Sequence, residues 1–134
     1  MNIYLDIDGV LLADIGSPAH YADEFIQAVL QKYPDSTYWL TTHVWNGEHV
    51  VHESLAPYLK PETQALLYKI KPTVWGKAKT DGIDFNKPFL WFDDDLFDDE
   101  YEALAQRNAL ESQVRVDLAD NPRHLKELIE QYFS

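Results

Sequence analysis

Two pairs of aspartates follow apolar runs of the chain, and their types and spacing could serve phosphoryl-transfer chemistry. Asp6 and Asp8 close the run NIYLDID, and Asp93 and Asp94 follow the run PFLWF. Carboxylates brought together repel one another, and a hard cation relieves that repulsion. Oxygen ligands without histidine or cysteine favour Mg²⁺, which commonly binds carboxylates, water and a substrate phosphate. These residues therefore predict a magnesium site that receives a phosphate.

The two-residue spacing of Asp6 and Asp8 allows both carboxylates to act on one substrate. Side chains alternate along an extended strand, so positions two apart share a side. A carboxylate is a competent covalent nucleophile towards phosphorus when a metal neutralises the phosphoryl oxygens. Gly9 permits a sharp turn after the pair. An isolated Asp-x-Asp-Gly string also occurs in calcium loops and turns, so the interpretation depends on the other strand ends.

Alternating strand-like and helix-like segments must position these aspartates. Strands are predicted at 2–7, 36–40, 73–75, 88–92 and 113–117. Helices are predicted at 21–33, 52–59, after Pro61, near 77–80, at 99–108, and finally with Asn121 as cap and Pro122 at the first position. This alternation predicts one α/β domain over residues 1–134, a Rossmann-like, doubly wound three-layer sandwich with a mainly parallel sheet.

The predicted sheet would gather the polar strand ends at one place. Ligands of open parallel sheets bind beyond the carboxyl ends of the strands, near the point where strand order reverses. Asp6 and Asp8, Thr41, and Asp93 and Asp94 follow three different predicted strands. We therefore expect these residues to converge on one edge of the sheet.

Composition limits the classes of function. A chain of 134 residues fits one domain, and the absence of cysteine excludes thiol catalysis and suits a reducing cytoplasm. No apolar run approaches the roughly 20 residues that cross a bilayer. With 11 Lys+Arg against 23 Asp+Glu, the net charge of −12 disfavours nonspecific nucleic-acid binding. We expect a soluble, cytoplasmic protein without a membrane partner.

The motifs, taken in order, resemble those of the haloacid dehalogenase (HAD) superfamily. NIYLDIDGVLL is similar to the first motif, YWLTT to the second, a strand ending in Thr or Ser, and FLWFDDD to the acidic fourth. A lysine before the fourth motif would be the third. Within the superfamily the chain most resembles small capless members of the kind found as HAD domains in RNA-repair-type proteins. The strings WLTT and WFDDD are the segments most similar to those members.

The resemblance implies a role for each aspartate. Asp6 would be the nucleophile that becomes an aspartyl-phosphate. Asp8 would be the acid/base that protonates the leaving group and then activates water. Asp6 and the backbone carbonyl of Asp8 would bind Mg²⁺ together with Asp93, and Asp94 would bind it directly or through water.

The resemblance also implies a lysine that screens repulsion between Asp6 and the incoming phosphate. We favour Lys79, because the string KTDGI resembles a helix start that carries the family lysine. Lys77 is the alternative. Lys87 adjoins a proline and is assigned to a solvated strand edge. The remaining lysines of the basic stretch 69–79, Lys69 and Lys71, would lie away from the chemistry.

The second motif would supply a hydroxyl, with Thr41 donating a hydrogen bond to a phosphoryl oxygen and Thr42 as the alternative. The segment from Thr41 to Lys79 leaves little space for a cap domain, so the site should be open and suit a phosphate on a macromolecule or an exposed end. The resemblance implies a Mg²⁺-dependent phosphohydrolase acting on a phosphate monoester. A catalytically weak phosphate-binding module or a protein-interaction module is the alternative.

Residues 43–73 are the least readable part of the sequence. His43, His49 and His52 lie within ten residues but lack a spacing typical of zinc ligands, so we assign them to the surface. Trp45 and His43 could line the pocket, because they come just after the second strand.

Overall fold

The computed structural model describes residues 1–14, 17–42, 44–45, 48–49 and 51–134, and the side chains of residues 1–13, 17–42 and 53–134. The strands are β1 (Asn2–Leu5), β2 (Leu12–Asp14), β3 (Ser17–Pro18), β4 (Thr37–Trp39), β5 (Val44–Trp45), β6 (Glu48–His49), β7 (Phe89–Asp93) and β8 (Gln113–Arg115). The α-helices are α1 (Ala22–Lys32), α2 (Val51–Leu55), α3 (Pro61–Gln64), α4 (Asp98–Gln106) and α5 (His124–Tyr132). Segments of 3-10 helix cover Ala56–Tyr58, Leu67–Lys69, Lys79–Gly82 and Leu110–Ser112.

A four-stranded parallel sheet in the order β4-β1-β7-β8 forms the centre of this α/β fold. The strand order reverses at β1, because β4 lies on one side of it and the later strands lie on the other. In the β1–β7 ladder Leu5 pairs with Phe92, and the Asp6 N–H donates to the Phe92 carbonyl at 3.1 Å. Asp6 and Asp93 therefore stand side by side, one residue beyond the last pair.

Helices cover both faces of the sheet, and each face has its own hydrophobic cluster. Ile3 and Leu5 point to the face that α1 and α5 cover, where helix residues such as Phe25 and Leu128 are buried against them. Tyr4 points to the opposite face and belongs to a second cluster with Leu104 of α4. The alternation along β1 follows from the strand's two-residue side-chain period. It makes the central strands buried on both sides, which explains why their sequences are continuously apolar.

The predicted strand at 73–75 is wrong. The chain makes one isolated parallel bridge to the sheet edge, between Lys71 and Tyr38, and then leaves it. Pro72 follows directly, and a proline has no N–H with which to continue a ladder. The Thr73 hydroxyl instead donates to the Trp39 carbonyl at 2.6 Å, so a side-chain hydroxyl supplies the hydrogen bond to this carbonyl at the edge of the sheet.

The start of the last helix also differs from the prediction of an Asn121 cap followed by Pro122. The His124 N–H donates to the Asn121 carbonyl at 3.0 Å, which closes a turn before the helix, and α5 begins at His124. The Asn121 side chain caps this turn by accepting from the Arg123 N–H at 3.3 Å. Leu125 and Leu128 are buried, as the helical stripe predicts, and Ile129 and Tyr132 are partly buried.

The other predicted elements are present with shifted bounds. The helix predicted near 77–80 is the 3-10 segment Lys79–Gly82, and the one at 52–59 is α2 followed by Ala56–Tyr58. The β2–β3 and β5–β6 pairs were not predicted, because their strands are too short to show a period. Among the described residues, no helix combines the length and apolar character that crossing a bilayer requires.

Candidate active site

Asp6 and Asp93 form a buried carboxylate pair at the carboxyl ends of β1 and β7. Their exposed fractions are 5% and 2%. The loop backbone holds one oxygen of each: Asp6 Oδ1 accepts from the Ile7 N–H at 2.8 Å, and Asp93 Oδ1 accepts from the Asp95 N–H at 3.2 Å. This arrangement orients the two Oδ2 atoms towards a common partner.

That partner is Lys79, from the 3-10 segment Lys79–Gly82. Its Nζ lies 2.7 Å from Asp93 Oδ2 and 3.1 Å from Asp6 Oδ2. The lysine favoured from the sequence is therefore in contact with both buried carboxylates. Lys77 is exposed and lines the same cavity without such a contact among the ion pairs that the structure describes.

One ammonium group compensates only one of the two buried carboxylate charges. Burial and the negative charge of Asp6 raise the pKa of Asp93 to about 8, against the opposing attraction of Lys79. Burial lowers the pKa of Lys79, but the charges of Asp6 and Asp93 outweigh it and raise the pKa above its ordinary value. Within the described part of the chain, Lys79 is thus the one cation that contacts both buried side chains, and Asp93 holds its proton more tightly than an ordinary aspartate.

Asp94 and Asp8 follow the same two strands and are exposed in the cavity wall. One carboxylate oxygen from each of Asp6, Asp93 and Asp94 lies within 4.8 Å of the others, an arrangement able to hold a metal ion. Asp8 is not in this group, although it lines the same cavity. Gly9 has a φ of +81°, and a Cβ there would overlap the Asp94 side chain, so the turn requires glycine.

These residues line a cavity of about 300 Å³. Its wall contains carboxylates, two lysines, Thr42 and the aromatic residues Trp75 and Phe97. Thr41 is wholly buried at the end of β4 and is not part of the described wall, whereas Thr42 is exposed there. Of the two threonines considered from the sequence, Thr42 is the one that faces the cavity.

Glu100 also lines the cavity, and sequence reasoning missed it. It is 3% exposed, and its Oε1 accepts from the Phe97 N–H at 3.0 Å. Burial raises the pKa of Glu100, although the Phe97 N–H and the charge and backbone N–H of Lys79 act against that rise. Glu100 therefore joins the start of α4 to the segment that carries Lys79. The sequence signal that could have found it is its place as the third residue of a helix, where a glutamate can accept from the N–H of the residue that caps the helix.

The remaining candidates lie elsewhere. Lys69 and Lys71 line a separate cavity together with Pro34, Asp35 and Tyr68. His43, Trp45, His49 and His52 lie outside the side chains that the structure describes.

Comparison of the chain with protein-family models, with curated proteins and with solved structures gave no match. What the site can do follows from its own geometry. It combines a buried carboxylate beside a lysine, a second exposed carboxylate two residues away, and oxygen ligands for a hard cation. These are the groups that nucleophilic attack on a phosphate ester requires.

Proposed function

We propose that the chain is a Mg²⁺-dependent phosphohydrolase of the HAD type, which hydrolyses a phosphate monoester through an aspartyl-phosphate on Asp6. The observation that carries the proposal is the contact of Lys79 with both Asp6 and Asp93, at 3.1 and 2.7 Å. An anionic nucleophile needs a cation beside it before a second anion can approach, and Lys79 supplies one.

In this proposal the sheet is the Rossmann-like, doubly wound core of that superfamily, without a sizeable cap domain. The reversal of strand order at β1 supports it, because it creates a crevice between the carboxyl ends of β1 and β7. The sequence motifs and this crevice coincide: Asp6 follows β1, and Asp93 is the last residue of β7.

The donor set suits Mg²⁺. The carboxylate oxygens of Asp6, Asp93 and Asp94 lie within 4.8 Å of one another, and hard oxygen donors are the ligands that this ion prefers. Burial and the negative charge of Asp6 raise the pKa of Asp93 despite Lys79, and a bound cation would favour its ionised form. Asp6, Asp93, Asp94 and the backbone carbonyl of Asp8 would hold the ion, which would neutralise the phosphoryl oxygens during transfer.

Asp6 and Asp8 act in both half-reactions, the first as nucleophile and the second as acid and then base. An Asp6 carboxylate oxygen attacks phosphorus, the bond to the leaving oxygen breaks, and Asp8 gives that oxygen its proton. Asp8 then takes a proton from water, whose oxygen attacks the aspartyl-phosphate, releases inorganic phosphate and restores Asp6. Asp8 is exposed in the wall of the same cavity, which suits a group that exchanges protons with water. Lys79 lies beside the Asp6 carboxylate and attracts the phosphoryl group.

Turnover of an aryl phosphate with and without Mg²⁺ tests this function. We expect Mg²⁺-dependent hydrolysis that the substitution Asp6→Asn abolishes while the fold, checked by circular dichroism, is kept. Asp98→Asn is the matched control, because Asp98 is an exposed aspartate outside the described cavity wall. Undiminished turnover in Asp6→Asn would contradict the assignment. Stabilisation by phosphate without any turnover would favour a binding module.

A further inference from the structure

Phe97 is a large apolar side chain in the cavity wall that the fold leaves exposed to solvent. Its exposed fraction is 60%, and it lines the cavity that contains Asp6. Its backbone is nonetheless held on both sides. The N–H donates to Glu100 Oε1 at 3.0 Å, and the carbonyl accepts from the Tyr101 N–H at 2.8 Å. The ring is thus displayed from a fixed position.

Packing does not account for this ring. The neighbouring Leu96 packs against the second core cluster, so it supplies the apolar contact between this loop and the core. Trp75 packs against the same cluster and also lines the cavity, which gives the wall two aromatic side chains. An exposed aromatic ring in a concave site is a surface that a ligand can cover, and ligand pockets are typically lined in this way.

Charge limits what can lie against these rings. In the described wall of the cavity, seven carboxylates face two lysines, so the lining stays negative even with a bound divalent cation. Asp95 and Asp99 are exposed carboxylates of this wall that lie outside the proposed metal ligands. A second phosphate on the substrate would be repelled there, whereas an uncharged ring would not.

We propose that Phe97 and Trp75 form a subsite for the leaving group, and that the substrate class is a phosphate monoester with one phosphate and an uncharged aromatic leaving group, such as a nucleobase-bearing or aryl-bearing alcohol. This inference rests on the proposed function, because that function places the scissile phosphate at Asp6. The ring of the leaving group stacks on Phe97, and the small cavity holds the part between ring and phosphate.

Two esters with matched chemistry at phosphorus test the subsite. Ethyl phosphate and 2-phenylethyl phosphate both release a primary alcohol, so they differ in the ring alone. We expect kcat/KM to be roughly tenfold higher for the phenyl ester, because stacking on an aromatic side chain contributes that order of discrimination. In Phe97→Ala the ratio should fall towards one, mainly through KM. Tyr101→Ala is the control and should keep the ratio, because Tyr101 is 52% exposed but not part of the described wall.

The outcomes separate the subsite from the proposed function. If both esters are hydrolysed equally well, or if both variants change the ratio alike, the subsite is wrong and the phosphatase stands. If neither ester is hydrolysed, the phosphatase fails, and calorimetry with ethylphosphonate and 2-phenylethylphosphonate decides the subsite. Tighter binding of the phenyl compound that Phe97→Ala removes would support it, and equal binding would overturn it.

The charge of the wall has its own test. Adenosine 5′-monophosphate and adenosine 3′,5′-bisphosphate carry the same ring, and the second phosphate should lower kcat/KM, less so at high salt. A higher kcat/KM for the bisphosphate would overturn the restriction to one phosphate.

Discussion

The site contains two pairs of aspartates of different character, although all four lie at the carboxyl ends of two neighbouring strands. Asp6 and Asp93 are buried and share Lys79, whereas Asp8 and Asp94 are exposed in the same cavity. A distance of one or two residues along the chain separates a member of one pair from a member of the other. Position relative to the strand end therefore decides whether a carboxylate is held by the fold or left accessible to water.

Burial changes what each pair can do. A buried carboxylate is costly unless it is paired, so Asp6 and Asp93 form one electrostatic unit with Lys79. Exposed carboxylates remain in contact with water. The first pair suits a fixed nucleophile and a fixed metal ligand, and the second suits an acid/base and a ligand that faces solvent.

Removing the shared lysine should have the largest effect on stability. Lys79→Ala leaves the buried Asp6 and Asp93 side chains without their shared cation, and we expect a loss of about 3 kcal/mol in the free energy of unfolding, as for other broken buried pairs. Urea denaturation at neutral pH without Mg²⁺ measures it. Lys77→Ala is the control, since Lys77 is exposed. Similar midpoints for the two variants would show that the buried pair does not depend on Lys79.

The second-largest effect should be a change of stability with pH, which arises from Asp93 in the buried pair. The pKa of Asp93 rises from 3.8 to about 8 on folding. The folded state therefore holds the proton more tightly, and this contribution is complete below the lower value and is lost as pH rises through the upper one. We expect the metal-free protein to lose stability between about pH 5 and 8 more steeply than Asp93→Asn. Parallel pH profiles would rule out Asp93 as the source.

Gly9 lies in the turn directly after Asp8 and against the Asp94 side chain, so a substitution at Gly9 tests how tightly this turn is constrained. Gly9→Ala places a Cβ against the Asp94 side chain at a φ of +81°, and we expect a loss of roughly 1–2 kcal/mol in stability. Gly76→Ala is the matched control, because a Cβ there meets only Asp81 Oδ2, at 3.8 Å. Equal thermal melts for the two variants would mean that the turn is not constrained as described.

The smallest expected change in stability is that of Asp94→Asn, which distinguishes an effect on metal binding from an effect on folding. Asp94→Asn should barely alter metal-free stability, because Asp94 is exposed. It should, however, remove most of the stabilisation by Mg²⁺, which is about 1.4 kcal/mol when the ion is tenfold above its Kd. Melting temperatures with Mg²⁺ and with chelator measure both quantities, and Asp98→Asn serves as control. A Mg²⁺ gain that survives Asp94→Asn would exclude Asp94 as a ligand.

The parts that could be predicted from the sequence are those where local pattern and long-range packing agree. The apolar runs before Asp6 and Asp93 predict buried parallel strands, and the structure pairs those strands directly. Lys79 was favoured over Lys77 from a resemblance, and only the structure shows which ammonium group reaches the carboxylates.

Other features depend on contacts that sequence patterns do not contain. The segment 73–75 has strand-like residues, but Pro72 prevents the ladder from continuing. Which of Thr41 and Thr42 faces the cavity depends on how the chain turns after β4, and adjacent threonines do not show it. Glu100 was not singled out from the sequence, because its burial comes from the packing of α4 beside Lys79.

A phosphorylated Asp6 would test the central claim most directly. In Asp8→Asn the residue that activates water is missing, so an aryl phosphate, whose leaving group needs no acid, should phosphorylate the protein faster than water releases it. After an acid quench, we expect intact mass spectrometry to show one added phosphoryl group, peptide mapping to place it on Asp6, and hydroxylamine to remove it. The double variant carrying Asp6→Asn should show none. Turnover in the wild type without this species in Asp8→Asn, or a phosphoryl group on another residue, would contradict the account.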